Sequence, residues 1–154
     1  MRMDIMSKMR GVAAFATLWK RRTSIVLLDG MECELLSLPD LVQAKKTQRD
    51  KDWPMIRRLV EAHYFERFHK PNSAQVRFWL SELRTPQLLV ETARRFRVQA
   101  ERLAAVRPLL ADADLAKIED LEKALLTEEL AERTEDRRYW APLRIELERL
   151  RHGK

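Results

Sequence analysis

Two strand-like runs, Ser24–Leu28 and Met31–Leu36, are separated by Asp29-Gly30 alone. A two-residue connection of this type predicts a β-hairpin with a type I′ turn, because both central positions need positive φ. In the second run Met31, Cys33 and Leu35 fall on one face, and Glu32 and Glu34 on the other. The period of two fixes which side of the hairpin is apolar.

Around this hairpin the first half alternates strand and helix signals. Arg2–Met6 is short, apolar and alternating, and reads as a strand. Val12, Phe15, Leu18 and Trp19 follow at helical spacing and run into Lys20-Arg21-Arg22, cations that suit a helix C-terminus. Ser37-Leu38-Pro39-Asp40 predicts a helix start with Ser37 as the cap. A second start is predicted at Asp52, as cap, with Pro54 in the first turn and an apolar stripe of Trp53, Ile56, Val60, His63 and Tyr64 reaching about Phe65. His69-Lys70-Pro71-Asn72-Ser73 breaks the pattern and divides the chain into expected domains over 1–68 and 73–152.

The second half reads as helix throughout. A short helix is expected around Ala74–Leu83, and Thr85-Pro86 opens a long one. Leu89, Ala93, Phe96, Ala100, Leu103, Val106 and Leu110 recur there at alternating four- and three-residue steps, a seam for packing on a partner or on the rest of the chain. Pro108 is expected to kink or end it. A further helix begins near Asp112 or Asp114, and a final one carries Leu143, Leu147 and Leu150. The predicted class is α+β: a small mixed β-sheet, strand plus hairpin, with helices, followed by a helical hairpin or bundle.

Charge narrows the partners. Residues 1–70 carry 14 Lys and Arg against 9 Asp and Glu, and residues 71–154 carry 16 against 15. The positive field therefore belongs to the first half, where a nucleotide or nucleic acid is favoured. No apolar run approaches the roughly 18 residues of a membrane span, so no membrane partner is expected. Neither does the N-terminus read as a secretion signal. One cysteine, Cys33, makes no internal disulfide framework and fits a reducing compartment, with the cytoplasm as the expected location.

Two side chains break the apolar patterns in ways that bear on chemistry. Lys45 closes the series Leu38, Leu41, Val42 at the i+7 position. It either snorkels, with its stem on the core, or meets a bound phosphate. Asp4 stands in the middle of the apolar Arg2–Met6 run, either as a hard-oxygen metal ligand or as a solvent-facing carboxylate on an edge strand. His63, His69 and Cys33 have no zinc-like spacing, and no phosphate-binding glycine loop or nucleophile elbow is present. Arg94, Arg95, Arg97, Arg102 and Arg107 form a basic series interrupted by Glu91 and Glu101, which reads as a solvated face. Trp19, Trp53, Trp79 and Trp140 lie in apolar helical patterns and are expected in the core.

The run Leu35-Leu36-Ser37-Leu38-Pro39-Asp40-Leu41-Val42-Gln43-Ala44-Lys45, with Arg49-Asp50-Lys51-Asp52 after it, resembles the later part of the catalytic module of the nucleotidyltransferase superfamily, the polymerase-beta-like fold. The likeness is to small prokaryotic nucleotidyltransferase-like proteins, some of which act in toxin–antitoxin or phage-defence systems, and it covers about residues 2–66. It implies that Asp4 is that family's third metal-binding carboxylate and that Lys45 contacts phosphate. Asp52 matches the family's Lys-Asp pair. Active members carry Gly-Ser and Asp-x-Asp on an earlier strand, and this chain begins after their place. A two-metal site needs several carboxylates, so Mg2+ belongs to the parent activity and is not expected to bind this chain tightly.

The resemblance thus implies a truncated or degenerate relative, its parent activity being metal-dependent transfer of a nucleotidyl group. Exposed apolar sheet edges in such a fragment predict a homo-oligomer. The alternative is a non-enzymatic, antitoxin-like or regulatory protein that holds a partner with its helical half. Nucleic-acid binding by the basic first half is a third reading.

Overall fold

The structure, a computed structural model, describes residues 8–113 and 117–152. Asp4 and the strand expected over residues 2–6 lie outside them. The fold is α+β, with a two-stranded antiparallel sheet near the N-terminus and helices from there on.

A six-residue helix, α1 (Phe15–Lys20), leads into β1 (Thr23–Val26) and β2 (Glu32–Leu35). The register pairs Thr23 with Leu35 and Ile25 with Cys33, so the face holding Cys33 and Leu35 is the apolar one, as the alternation requires. The turn differs from the expected type I′. Leu27 accepts from the Gly30 N–H at 2.9 Å and donates to the Met31 carbonyl at 2.9 Å, and Gly30 has φ +83° while Asp29 does not reach positive φ. The loop is therefore the three-residue type I turn with a glycine bulge, in which one left-handed residue suffices. The Asp29 carboxylate accepts from the Met31 N–H at 3.0 Å and holds the turn in that form.

Helix α2 (Leu38–Lys45) starts at Ser37, whose hydroxyl accepts from the Asp40 N–H. Helix α3 (Asp52–Arg67) buries Trp53, Ile56, Val60 and Tyr64. Helix α4 (Ser73–Glu82) opens with a capping box between Asn72 and Gln75. The His69–Asn72 break is a short connection and not a gap in packing. One buried cluster runs through it, with Ile56, Val60 and Tyr64 on one side and Val76, Trp79 and Leu80 on the other. The Tyr64 and Trp79 rings meet edge to face at 5.0 Å.

The long helix expected through Leu89–Leu110 is divided into α5 (Pro86–Arg95), α6 (Arg97–Leu103) and the short α7 (Leu109–Asp112). No glycine or proline causes the first break, at Phe96 (φ −121°, ψ 49°). The bend lets both α5 and α6 pack on α4, which a straight rod could not do. Leu89, Ala93, Ala100 and Leu110 of the seam are buried in this core, and Val106 alone of the seven is strongly exposed. The seam is internal packing.

The two helices expected after residue 112 are one, α8 (Ile118–His152), 35 residues and about 52 Å long. It runs through Pro142 without interruption. Leu121 and Leu125 enter the core, and every residue from Pro142 to His152 is exposed. Among the described residues no helix is long and apolar enough to cross a membrane.

Candidate functional site

Chemistry-bearing side chains gather where the N-terminal segment, the α2–α3 connection and α8 meet. The connection, residues 46–51, is pinned at three points, one from α3 and two from α8. The Trp53 indole donates to the Thr47 carbonyl at 2.9 Å, the Asp136 carboxylate accepts from the Gln48 N–H at 2.9 Å, and Asp50 pairs with Arg133. Each contact links a loop group to a helix, so the loop is fixed although it lacks regular structure.

Asp52 is the central carboxylate of the loop's inner side and is 1% exposed. Lys51, not Asp52, occupies the N-cap position of α3, and the Asp52 side chain turns back on the loop. It accepts from Thr47 Oγ1 at 2.5 Å and from Arg49 Nε at 2.8 Å, with Lys45 Nζ at 3.7 Å. Burial pushes its carboxyl up, but the Thr47 and Arg49 hydrogen bonds and the charges of Arg49 and Lys45 outweigh that and hold it below the ordinary carboxylate value. Lys45 thus directs its ammonium at a buried carboxylate.

Ser37 and Asp40 form a second cluster at the head of α2. Arg21 closes on Asp40 as a fork, Nε to Oδ2 at 2.6 Å and Nη2 to Oδ1 at 2.5 Å, while Ser37 Oγ donates to Asp40 Oδ2 at 2.5 Å. A bidentate guanidinium–carboxylate pair is directional as well as strong. It ties the end of α1, and through it the hairpin, to the helical body. Ser37 therefore serves both as backbone cap and as a ligand to the acidic residue of its own first turn.

The third cluster went unmarked in the sequence. Met9, Arg10, Gln43, Lys46, Arg49, Asp136, Trp140 and Arg144 contribute to one cleft of about 310 Å3. Arg10 reaches Glu132 at 2.5 Å and donates to the Lys46 carbonyl at 3.1 Å, and Lys46 reaches Glu82 at 2.9 Å. Gly11 lets the N-terminal segment approach α2: its φ is +67°, and a Cβ there would stand 2.5 Å from Gln43 Nε2. Gly11 itself, ahead of Val12-Ala13-Ala14, is the only local signal for this approach.

The basic series of the second half is not one surface. Arg107 is buried and donates to the Leu80 carbonyl at 2.7 Å and the Leu83 carbonyl at 3.0 Å, closing the C-terminus of α4, while Glu128 of α8 accepts from its Nε and Nη2. Arg95 lies 4.2 Å over the Phe68 ring, and Arg97 pairs with Glu101. Trp53 and Trp79 are core residues, whereas Trp19 is 47% exposed and Trp140 is half-buried at the cleft. Among the described residues no three His, Cys, Asp or Glu side chains converge as metal ligands. No protein-family model matches the chain, and neither does any curated protein or solved structure.

Proposed function

We propose that this chain is a non-catalytic interaction module that self-associates through α1 and the hairpin. One observation carries the reading: α1 buries none of its residues, and neither strand has a buried position. Phe15 is 72% exposed and Met31 56%, and Ile25 and Leu35 are exposed on the hairpin's apolar face. A two-stranded sheet alone is marginal in water, and contiguous apolar surface of this kind marks an interface. A second copy would cover the face and extend the sheet.

The resemblance to the nucleotidyltransferases supports a binding role more than transfer. Lys45, the residue it marks for phosphate, is turned toward Asp52, so a phosphate would have to compete with a buried carboxylate. Light scattering of the full chain at micromolar concentration tests the module. A dimer or larger species is expected, reduced to monomer by Ile25→Glu with Met31→Glu; a monomeric wild-type chain rejects self-association. Magnesium–ATP is expected to bind weakly. Tight binding abolished by Asp4→Ala would restore the transferase reading.

A further inference from the structure

The cleft between the Arg10 segment, the Lys46–Arg49 loop and α8 is lined by four cations, Arg10, Lys46, Arg49 and Arg144, against one carboxylate, Asp136. That carboxylate is fully engaged. It accepts from the Gln48 N–H and, at 3.2 Å, from the Trp140 indole N–H, with Arg10 Nε at 3.6 Å. Arg10 and Lys46 are held by Glu132 and Glu82. The exposed cations of the lining are Arg49, which shares Asp52, and Arg144, which has no carboxylate within ion-pair distance among the described residues. Trp140 has given its only polar hydrogen to its own chain, so what it offers a ligand is its ring face.

The charge around the cleft is concentrated. The three segments that meet there, residues 9–10, 43–49 and 136–144, hold 7 Lys and Arg against Asp136 alone, a net of +6 that equals the charge of the whole chain. The remainder is therefore net neutral, and the chain's positive excess lies in the segments that form the cleft. Leading away from the cleft, Arg137, Arg144 and Arg151 recur every seven residues on one flank of α8, about 10.5 Å apart. All three are exposed and none has a carboxylate within ion-pair distance among the described residues.

We infer that this cleft and the adjoining flank of α8 bind single-stranded nucleic acid. One base stacks on Trp140, and the phosphates on either side meet Arg144, Arg137 and Arg151. A cleft of this volume has room for one splayed-out nucleotide and not for a duplex, whose bases are hidden in the stack. Aromatic faces set among unpaired cations hold single strands with little sequence preference, by stacking and by counterion release. The site uses elements other than the hairpin and does not depend on self-association.

The test is fluorescence anisotropy of the full chain with a labelled oligouridylate of about twelve nucleotides, within the range that small modules cover. A duplex of equal length and an abasic phosphodiester strand are the comparisons. The single strand is expected to bind most tightly, with log affinity falling against log salt at a slope of about −2, as three phosphate contacts require. Arg144→Glu with Arg151→Glu changes only exposed side chains, and far-UV circular dichroism checks its fold. It is expected to weaken binding at least tenfold, and the abasic strand is expected to bind about tenfold more weakly than the oligouridylate. No binding at low salt, equal affinity for the duplex or the abasic strand, or a folded double variant with wild-type affinity would each overturn the inference.

Discussion

Asp136 Oδ2 accepts the Gln48 backbone N–H at 2.9 Å across 88 residues of sequence, and so fastens the α2–α3 connection to the middle of α8. The carboxylate is 3% exposed and serves Trp140 and Arg10 as well. Asp136→Ala would strand a backbone donor and an indole donor and take from Arg10 one of its two carboxylates, leaving it Glu132. A loss of about 3 kcal/mol is expected, since removing one member of a buried charged network leaves the others unpaired. Asp136→Asn keeps one acceptor and should lose less. Urea unfolding of the two variants, with amide exchange at Gln48, checks both the size and the order.

Arg21 and Asp40 predict a different outcome, local and not global. The fork between them joins α1 to α2, whereas the hairpin beyond it has no buried residue to anchor it. Arg21→Met is expected to raise amide exchange throughout Phe15–Leu35 by tenfold or more. The global urea midpoint falls only modestly, because Ser37 still donates to the Asp40 carboxylate. Equal loss of protection in the hairpin and in α4 would refute the tether.

His63 supplies a pH dependence with a definite sign. Its Nδ1 accepts from the buried Trp79 indole at 2.9 Å, so that nitrogen must be unprotonated in the folded chain. Burial, with the Arg67 charge added and Glu66 opposing, lowers its pKa from the ordinary 6.5. The unfolded chain then binds more protons in the range just below 6.5, and stability falls as pH drops through it. The stability present at about pH 7.5 is expected to decline by about pH 5.5 in the wild type. In His63→Gln, whose amide oxygen can accept the same indole proton without titrating, the decline over that interval should disappear. Parallel thermal melts at the two pH values make the comparison.

How far the sequence discloses this molecule depends on the range over which each signal acts. The hairpin, the Ser37 cap, the α4 start and the stripe of α3 are written within a few residues, and their elements follow. Asp29-Gly30 marks the turn but not its type, because a two- and a three-residue loop differ only in whether Leu28 joins the ladder. The break at Phe96 has no local mark at all; it exists because α5 and α6 must both reach α4. Arg107 reads as surface charge from its neighbours, yet it closes the end of α4, a role set by residues 24 and 27 positions away. The cleft was equally hidden. Its parts come from residues 9–10, 43–49 and 136–144, and no spacing within any one of them shows that they meet.

Pro142 gives the last prediction, and it concerns the part of α8 that the core does not support. Proline in a helix interior removes the hydrogen bond to the carbonyl four residues earlier, here Arg138, and costs about 3 kcal/mol relative to alanine. From Pro142 to His152 no side chain is buried, so tertiary packing does not compensate, and a helical segment of this length is marginal alone. Pro142→Ala should therefore increase helical ellipticity and slow amide exchange over Leu143–His152. The urea midpoint should hardly move, because the core residues of α8, Leu121 and Leu125, lie at its other end. Unchanged exchange in the outer turns would mean that a contact beyond this chain already holds them. A large rise in the urea midpoint would mean that the outer turns unfold together with the core.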